Sequence, residues 1–210
     1  DGINRGWVQG PRIIAAGSSV AVTGGHGDVD GMNPDILKMR TPETICDGPY
    51  DCRRATRHAI KYGADVIKIT STGGVLSDTN TGTGQQMNDD ELKEVVETAH
   101  SLGRKVASHA HAAGGINAAL RAGVDSIEHG SYADEESIKL FKKSGAYLVP
   151  TLMAGDTVVG LAKHTDFMSP AIRAKAIRVG GDMIANFKRA HKAGVKIAKA
   201  SCDNKVPEHY

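Results

Sequence analysis

The chain predicts an α/β fold built on a parallel sheet, and within that class a (β/α)8 barrel of which it carries part. Three observations lead there. Short β-branched segments alternate with helical segments at least five times within 210 residues, which calls for crossover helices between parallel strands. A phrase of helix, glycine turn and short strand recurs at YGADVIKI, AGVDSIEH, SGAYLVPT and AGVKIAKA, which suits a ring of like units better than a doubly wound sheet. And histidines stand at successive strand ends, on the rim where parallel α/β folds gather their chemistry.

Taken in order, Arg12–Ala16 (RIIAA) reads as a short strand after a Gly-Pro turn, and the glycine-rich Gly17–Asp30 as a long loop holding His26. Residues 33–49 read as irregular, with Pro42 placed to open a short helical turn. Cys52–Tyr62 is a helix stopped at Gly63, and Asp65–Thr70 a strand with Lys68 inside it. Ser71–Gln86 is polar and rich in Gly and Thr, hence loop. Asn88 or Asp89 caps the helix Glu91–Leu102.

The stretch Lys105–Gly130 reads strand, helix, strand. Val106–Ser108 delivers His109 and His111, the helix Ala112–Ala122 carries the chain back, and Asp125–Glu128 delivers His129. Asp134–Ser144 is a helix, Ala146–Val149 a strand, and Thr151–Ser169 a long loop. Pro170 opens the helix Ala171–Ala193, and Val195–Ala200 is a last strand running into Ser201-Cys202-Asp203.

Composition narrows the function classes. Hydrophobic and charged contents of 40% and 24% are ordinary for a globular domain, and the net charge of +2 comes without a basic block. Nucleic acid and membrane surfaces are therefore not expected partners, and with aromatics at 4% no base-stacking platform is expected either. No apolar run approaches the roughly 18 residues a membrane span needs. Neither dinucleotide nor P-loop fingerprint follows a strand. The three cysteines, Cys46, Cys52 and Cys202, form no CxxC and read as free thiols. Free thiols favour the cytoplasm; export stays open, because DGINRGWVQGPR reads as the interior of a longer chain.

The strand ends carry His109, His111, His129 and Asp203, with Lys68 one residue earlier in its own strand. Histidines and a carboxylate on sequence-distant strands suit zinc or a similar divalent ion, which in catalytic sites takes about three protein ligands and keeps a position for water. Lys68 between β-branched residues is anomalous, since buried lysine is rare unless paired. It points to solvent from an edge, or it is neutralised by a lowered pKa with Schiff-base chemistry, by an acid partner, or by conversion to a metal-binding carbamate. His58, His100, His164 and His191 lie on helices or in a loop and read as ordinary surface groups.

GPRIIAAG, TGGHGD, GADVIKI followed by STGGV, VASHAHAAGGINAALRAGVDSIEHGS, LVPTL and AGVKIAKASCD together resemble the amidohydrolase superfamily. More narrowly they resemble its prolidase-like branch of Xaa-Pro and Xaa-Arg dipeptidases, with imidazolonepropionase-like and ochratoxin-hydrolysing relatives. The resemblance spans the chain, residues 1–210 being part of one catalytic barrel domain covering strands 3 to 8 of the family fold, incomplete at the N-terminus and by the same comparison short at the C-terminus.

That resemblance implies two divalent ions, zinc first among them, and a CO2-derived carboxylation of Lys68 that bridges them. It implies His109 and His129 as ligands of one metal. Asp203 it makes both a ligand of the other and the catalytic proton shuttle. His111 and His26 would contact substrate. It further implies a metal-dependent hydrolase of C–N bonds, cleaving a dipeptide or N-acyl amino acid by a hydroxide held between the metals, in a homo-oligomer. The family's His-x-His of strand 1 has no counterpart here, and Ser201-Cys202-Asp203-Asn204 stands where the family has Gly-Thr-Asp-Ala. A cyclic-amide hydrolase or deaminase on the same barrel is the alternative enzyme, and an inactive barrel fragment serving as a binding module the alternative of another class.

Overall fold

The computed structural model describes residues 2–29, 33–37, 43–77, 83–166 and 168–199. Five strands, β1 (Val66–Thr70), β2 (Lys105–Ala110), β3 (Ser126–His129), β4 (Tyr147–Val149) and β5 (Lys196–Ile197), form one sheet in sequence order. Every pairing is parallel. Helices α2 (Pro49–Lys61), α3 (Asp89–Ser101), α4 (Ala113–Ala122) and α5 (Glu135–Ser144) provide the crossovers, while α6 (Leu152–His164) and α7 (Pro170–Lys192) lie between β4 and β5. A further turn of helix, α1 (Pro34–Leu37), precedes them. An unclosed parallel sheet whose neighbours follow sequence order, each pair joined through helix, is the arrangement of consecutive staves of a (β/α)8 barrel.

Strand parity explains the sheet's two faces. Ile67, Ile69, Val106, Ile127 and Leu148 alternate to one side and are fully buried there, against helix residues such as Leu92, Val95, Ile116 and Phe141. Burying each such side chain contributes about 1.5–3 kcal/mol. Lys68, Ala107 and Glu128 alternate to the other side and are half-buried. Carboxylates secure the helix starts, with Asn88, one of the two caps expected from sequence, as the N-cap of α3. The Asp134 carboxylate accepts from the Ser137 N–H at 2.8 Å. Glu91 accepts from the backbone N–H of Asn88 at 2.8 Å and of Gly48 at 2.7 Å, so one carboxylate closes the start of α3 and holds the start of α2. A forked Arg53–Glu94 pair, at 2.6 and 2.9 Å, ties the same two helices.

Three expectations are corrected. Arg12–Ala16 is not a strand: Ile13 and Ile14 stand exposed, and the segment touches the sheet's edge through Ala15, whose carbonyl accepts from the Asp65 N–H at 2.8 Å. The place beside β1 is taken by Val20, bridged to Ile69, and by Ala21, bridged to Ile45. Both are fully buried, and the segment is paired on two sides: Val20 with β1, donating to the Lys68 carbonyl at 2.8 Å, and Ala21 with residues 44–46, donating to the Thr44 carbonyl at 3.3 Å.

Thr151–Ser169 is not a loop but mostly α6. Two glycines and the Thr157-Val158-Val159 run weigh against helix in isolation, but docking on α7 overrides them. A side chain at Gly180 would put its Cβ 2.1 Å from Val159, so the glycine is what lets the two helices close.

Cys46 and Cys52, expected as free thiols, are joined in a buried disulfide. The turn at Gly48–Pro49 returns the chain until their Cα atoms are 4.9 Å apart, within bridging range. The cytoplasmic expectation loses the support of these two. Cys202 and Pro42 lie outside the described residues.

Cys46 also donates its N–H to Ala21 at 2.8 Å, so the bridge anchors the segment leading to His26. With the cysteines six positions apart in sequence, loop-closure entropy predicts that replacing both by alanine costs about 2 kcal/mol of stability. Denaturant titration checks this, and a midpoint unmoved by the double replacement would contradict it.

Candidate metal centre

The strand ends converge as parity and register require, with one exception that is informative. His109 continues the inward series of Lys68 and Ala107 and pairs in register with Glu128 and Thr70. His129, next after inward-facing Glu128, should turn to the helix side. Instead its backbone takes φ 70°, in a tight turn closed by the Gly130 N–H on the Glu128 carbonyl at 3.0 Å. Its ring thereby joins those of His109, 4.7 Å away, and His111, 4.8 Å away. His109 and His111 lie 4.8 Å apart, and ligand atoms of the three fall within 4.8 Å of one another.

Hydroxyls orient the rings. Thr151 donates its single proton to the Pro150 carbonyl at 2.8 Å, so toward His129 Nδ1, at 2.6 Å, it accepts. That assigns the Nδ1–H tautomer to His129 and leaves Nε2 as the free lone pair. Thr151 itself sits at φ 49°. The two non-glycine residues with positive φ among those described are thus bonded to each other at the site, where such strain characteristically collects. Ser131 Oγ holds His111 Nδ1 at 2.8 Å.

His26 also arrives, carried by its glycine-rich loop. Its ring lies 4.3 Å from His109, Ser77 Oγ holds its Nδ1 at 2.5 Å, and its N–H donates to Gln86 at 2.9 Å. Gly74 makes room, since a Cβ there would meet the His26 ring at 2.1 Å.

Burial sets the charge state. His111 is pushed down to about 3 and His129 to about 4, in each case first by desolvation. His129 and His26 act further on His111, and Lys68 and His26 on His129. Burial also drives His109 well below the ordinary value, helped by the neighbouring rings and Lys68. All three are neutral at pH 7, the state in which imidazole binds a metal.

Lys68 faces the same side, and burial lowers its ammonium to about 8. It meets the carboxylate of Glu128, which favours the charged form and so opposes that shift. Of the options open for Lys68, the solvent-facing edge position is not realised, since Val20 pairs beyond β1. An acid partner is present.

The structure therefore brings together Lys68, His26, His109, His111 and His129; Asp203 lies outside the described residues. His100, by contrast, pairs with Asp125 at 2.9 Å on the helix side. Glu128, Thr151, Ser131 and Ser77 were not singled out from sequence. Glu128 had a usable signal, an acid at an inward strand position beside His129. The donor set suits a borderline divalent ion such as zinc: neutral imidazoles, two of them with Nδ1 held by hydroxyls.

The Amidohydrolase family model matches residues 4–204. Ochratoxinase from Aspergillus niger is 34% identical over 209 residues, covering 93% of this chain and 43% of its own. Its crystal structure superposes with a TM-score of 0.85 over 95% of this chain and 48% of that one, at 33% identity. A Xaa-Pro dipeptidase crystallised with methionine in its active site is 43% identical, with a TM-score of 0.88 over 95% of this chain and 50% of that one. A prolidase complexed with N-methylphosphonate-L-proline is 34% identical, with a TM-score of 0.83 over the same 95% and 50%. The chain spans about half the length of these relatives.

Because the buried histidines take up protons in the folded state only far below the 6.5 of a free imidazole, the unfolded chain binds more protons in that interval. Stability of the metal-free protein should fall as pH drops from about 6.5 toward 4, by up to roughly 1.4 kcal/mol per pH unit for each histidine. Denaturation midpoints between pH 7.5 and 4.5 test this, with the slope reduced in the His111→Asn, His129→Asn double variant. A flat profile would contradict a neutral buried cluster.

Proposed function

The chain belongs to the amidohydrolase family, and from that membership and the site's geometry we propose that it forms part of a metal-dependent hydrolase. Its substrate is an amide of the dipeptide or N-acyl amino acid type. The observation that carries the reading is the cluster of three desolvated, neutral imidazoles within 4.8 Å, opening into a cavity beside a lysine whose charge burial disfavours. Relatives of known activity act on such bonds, as the Xaa-Pro dipeptidase and the prolidase do by name.

His109 and His129 would hold a divalent ion, with Lys68, once carboxylated, and Asp203 supplying oxygen ligands for it and for a second ion. Bound, such ions lower the pKa of water toward neutrality and polarise a carbonyl oxygen. The chain's own groups do the rest. Thr151 keeps His129 in the tautomer whose Nε2 is free. Lys68, lowered to about 8, has a reactive neutral fraction at mildly alkaline pH for addition to CO2. The resulting anion would part from Glu128, with which the ammonium now pairs. Asp203 accepts the proton of the attacking water and returns it to the leaving amine.

His111 and His26 contact substrate, donating to its carbonyl or carboxylate. Geometry gives His111 a second reading as a metal donor, since its ring lies as close to His129 as His109's does. The enzyme is expected to use zinc and to assemble with copies of itself. Among the described residues no helix is long and apolar enough to cross a membrane.

Metal analysis of the intact protein should find about two zinc-type ions per chain. Lys68→Ala should remove both the metal and the bicarbonate-dependent activity, and an intact protein that binds no metal would sink the reading. His111→Asn should retain metal while lowering kcat/KM; loss of metal would instead place His111 among the ligands. Thr151→Ala, which frees the His129 ring, should weaken metal affinity about tenfold, measured by competition with a chelator. Hydrolysis of a cyclic amide or a deaminase substrate, with no peptide cleaved, would favour the alternative enzyme.

A further inference from the structure

The histidines form only the floor of their cavity, which measures about 170 Å³. Its walls are apolar. Val75, from the loop after β1, Val158 of α6 and Val179 and Met183 of α7 line it together with His109, His111 and His129. Apart from the four histidines, no ionisable side chain among the described residues lines it. The nearest lysine on α7, Lys175, is buried and turned away, donating its Nζ to the Ser77 carbonyl at 2.5 Å and the Gly74 carbonyl at 3.3 Å. It thereby fixes the loop that carries Val75 without placing charge in the pocket.

The wall has an adjustable part. Val179 and Met183 project from one face of α7 while Gly180 holds the helix against α6. Gly155 of α6 leaves Met183 its room, since a Cβ there would fall 2.7 Å from the Met183 sulfur. An unbranched thioether packs against varied apolar shapes. A cavity of this kind, near the ~150 Å³ in which an apolar site accepts a benzene ring, is suited to one branched aliphatic or aromatic group. Against the apolar wall, away from the histidines, a charged group would lose hydration and meet no ionisable side chain among the described residues.

We propose that this wall is a side-chain subsite, which selects substrates bearing a bulky, uncharged apolar residue next to the scissile amide, with Met183 gauging its size. The identity of the neighbouring bond rests on the hydrolytic reading above; the apolar selection rests on the wall. Phenylalanine, leucine and methionine side chains fit, whereas aspartate, glutamate, lysine and arginine do not.

The test uses the intact, metal-loaded protein and two readouts. Hydrolysis of dipeptides varied at each position should show kcat/KM for phenylalanine or leucine at one position at least about 100-fold above lysine or aspartate there. Calorimetric binding of N-acetylphenylalanine, against N-acetyllysine and N-acetylaspartate, reads the subsite without chemistry and should follow the same order.

Gly155→Ala should push the Met183 side chain into the cavity, lowering kcat/KM for phenylalanine about tenfold more than for alanine. Met183→Ala should shift preference the opposite way, toward the larger ring. Hydrolysis that favours charged residues at both positions, or variants that change all substrates equally, would overturn the subsite and leave the hydrolase reading standing. Selective binding of the phenylalanine ligand, sensitive to both replacements but with no peptide hydrolysed, would support the subsite and refute the hydrolase.

Discussion

Desolvation of three imidazoles at the ends of adjacent parallel strands is the constraint from which the rest of the site follows. Water would let each ring take a proton near pH 6.5; buried against one another, His109, His111 and His129 lose the hydration that would stabilise that charge, and the neighbouring rings add to the penalty. They are thus held as lone-pair donors at neutral pH. The same burial acts on Lys68 in the same direction, making an amine that is less costly to leave uncharged. One physical effect therefore prepares both the nitrogen donors and the lysine.

Holding the rings in this arrangement costs backbone strain, and the fold confines it to one contact. β3 would carry His129 outward by alternation, and its positive φ reverses that. The compensating partner, Thr151, is the other strained residue, placed at the end of β4 by the parallel register and hydrogen-bonded to His129. Two neighbouring strands each give up regular geometry at their C-terminal ends, where the chemistry lies, while their N-terminal portions keep the ladder. Across the mouth, α6 and α7 close the cavity by glycine-mediated contact.

Local pattern revealed most of this architecture because each β–α unit is short and self-contained. Apolar alternation placed β1 to β4, glycine marked the helix stops, and the repeated phrase implied like staves. His109, His111 and His129 were visible as strand-end histidines. What local pattern missed was decided at a distance. The isoleucines of Arg12–Ala16 look like strand but stand exposed, whereas Val20 and Ala21, in glycine-rich surroundings, find partners on both sides. α6 carries poor helix formers and exists because α7 receives it. The Cys46–Cys52 bridge has a spacing with no motif value and depends on a turn. Glu128 could be read only through strand parity, as an acid beside His129, and Thr151 emerges only when the turn at His129 is known.

The central claim is that these strand-end histidines are metal donors. X-ray absorption at the zinc edge of the metal-loaded intact protein tests it most directly. Imidazole scattering around the metal should be present and should diminish in His109→Ala and in His129→Ala. Coordination by oxygen or sulfur alone, unaltered by either replacement, would contradict it.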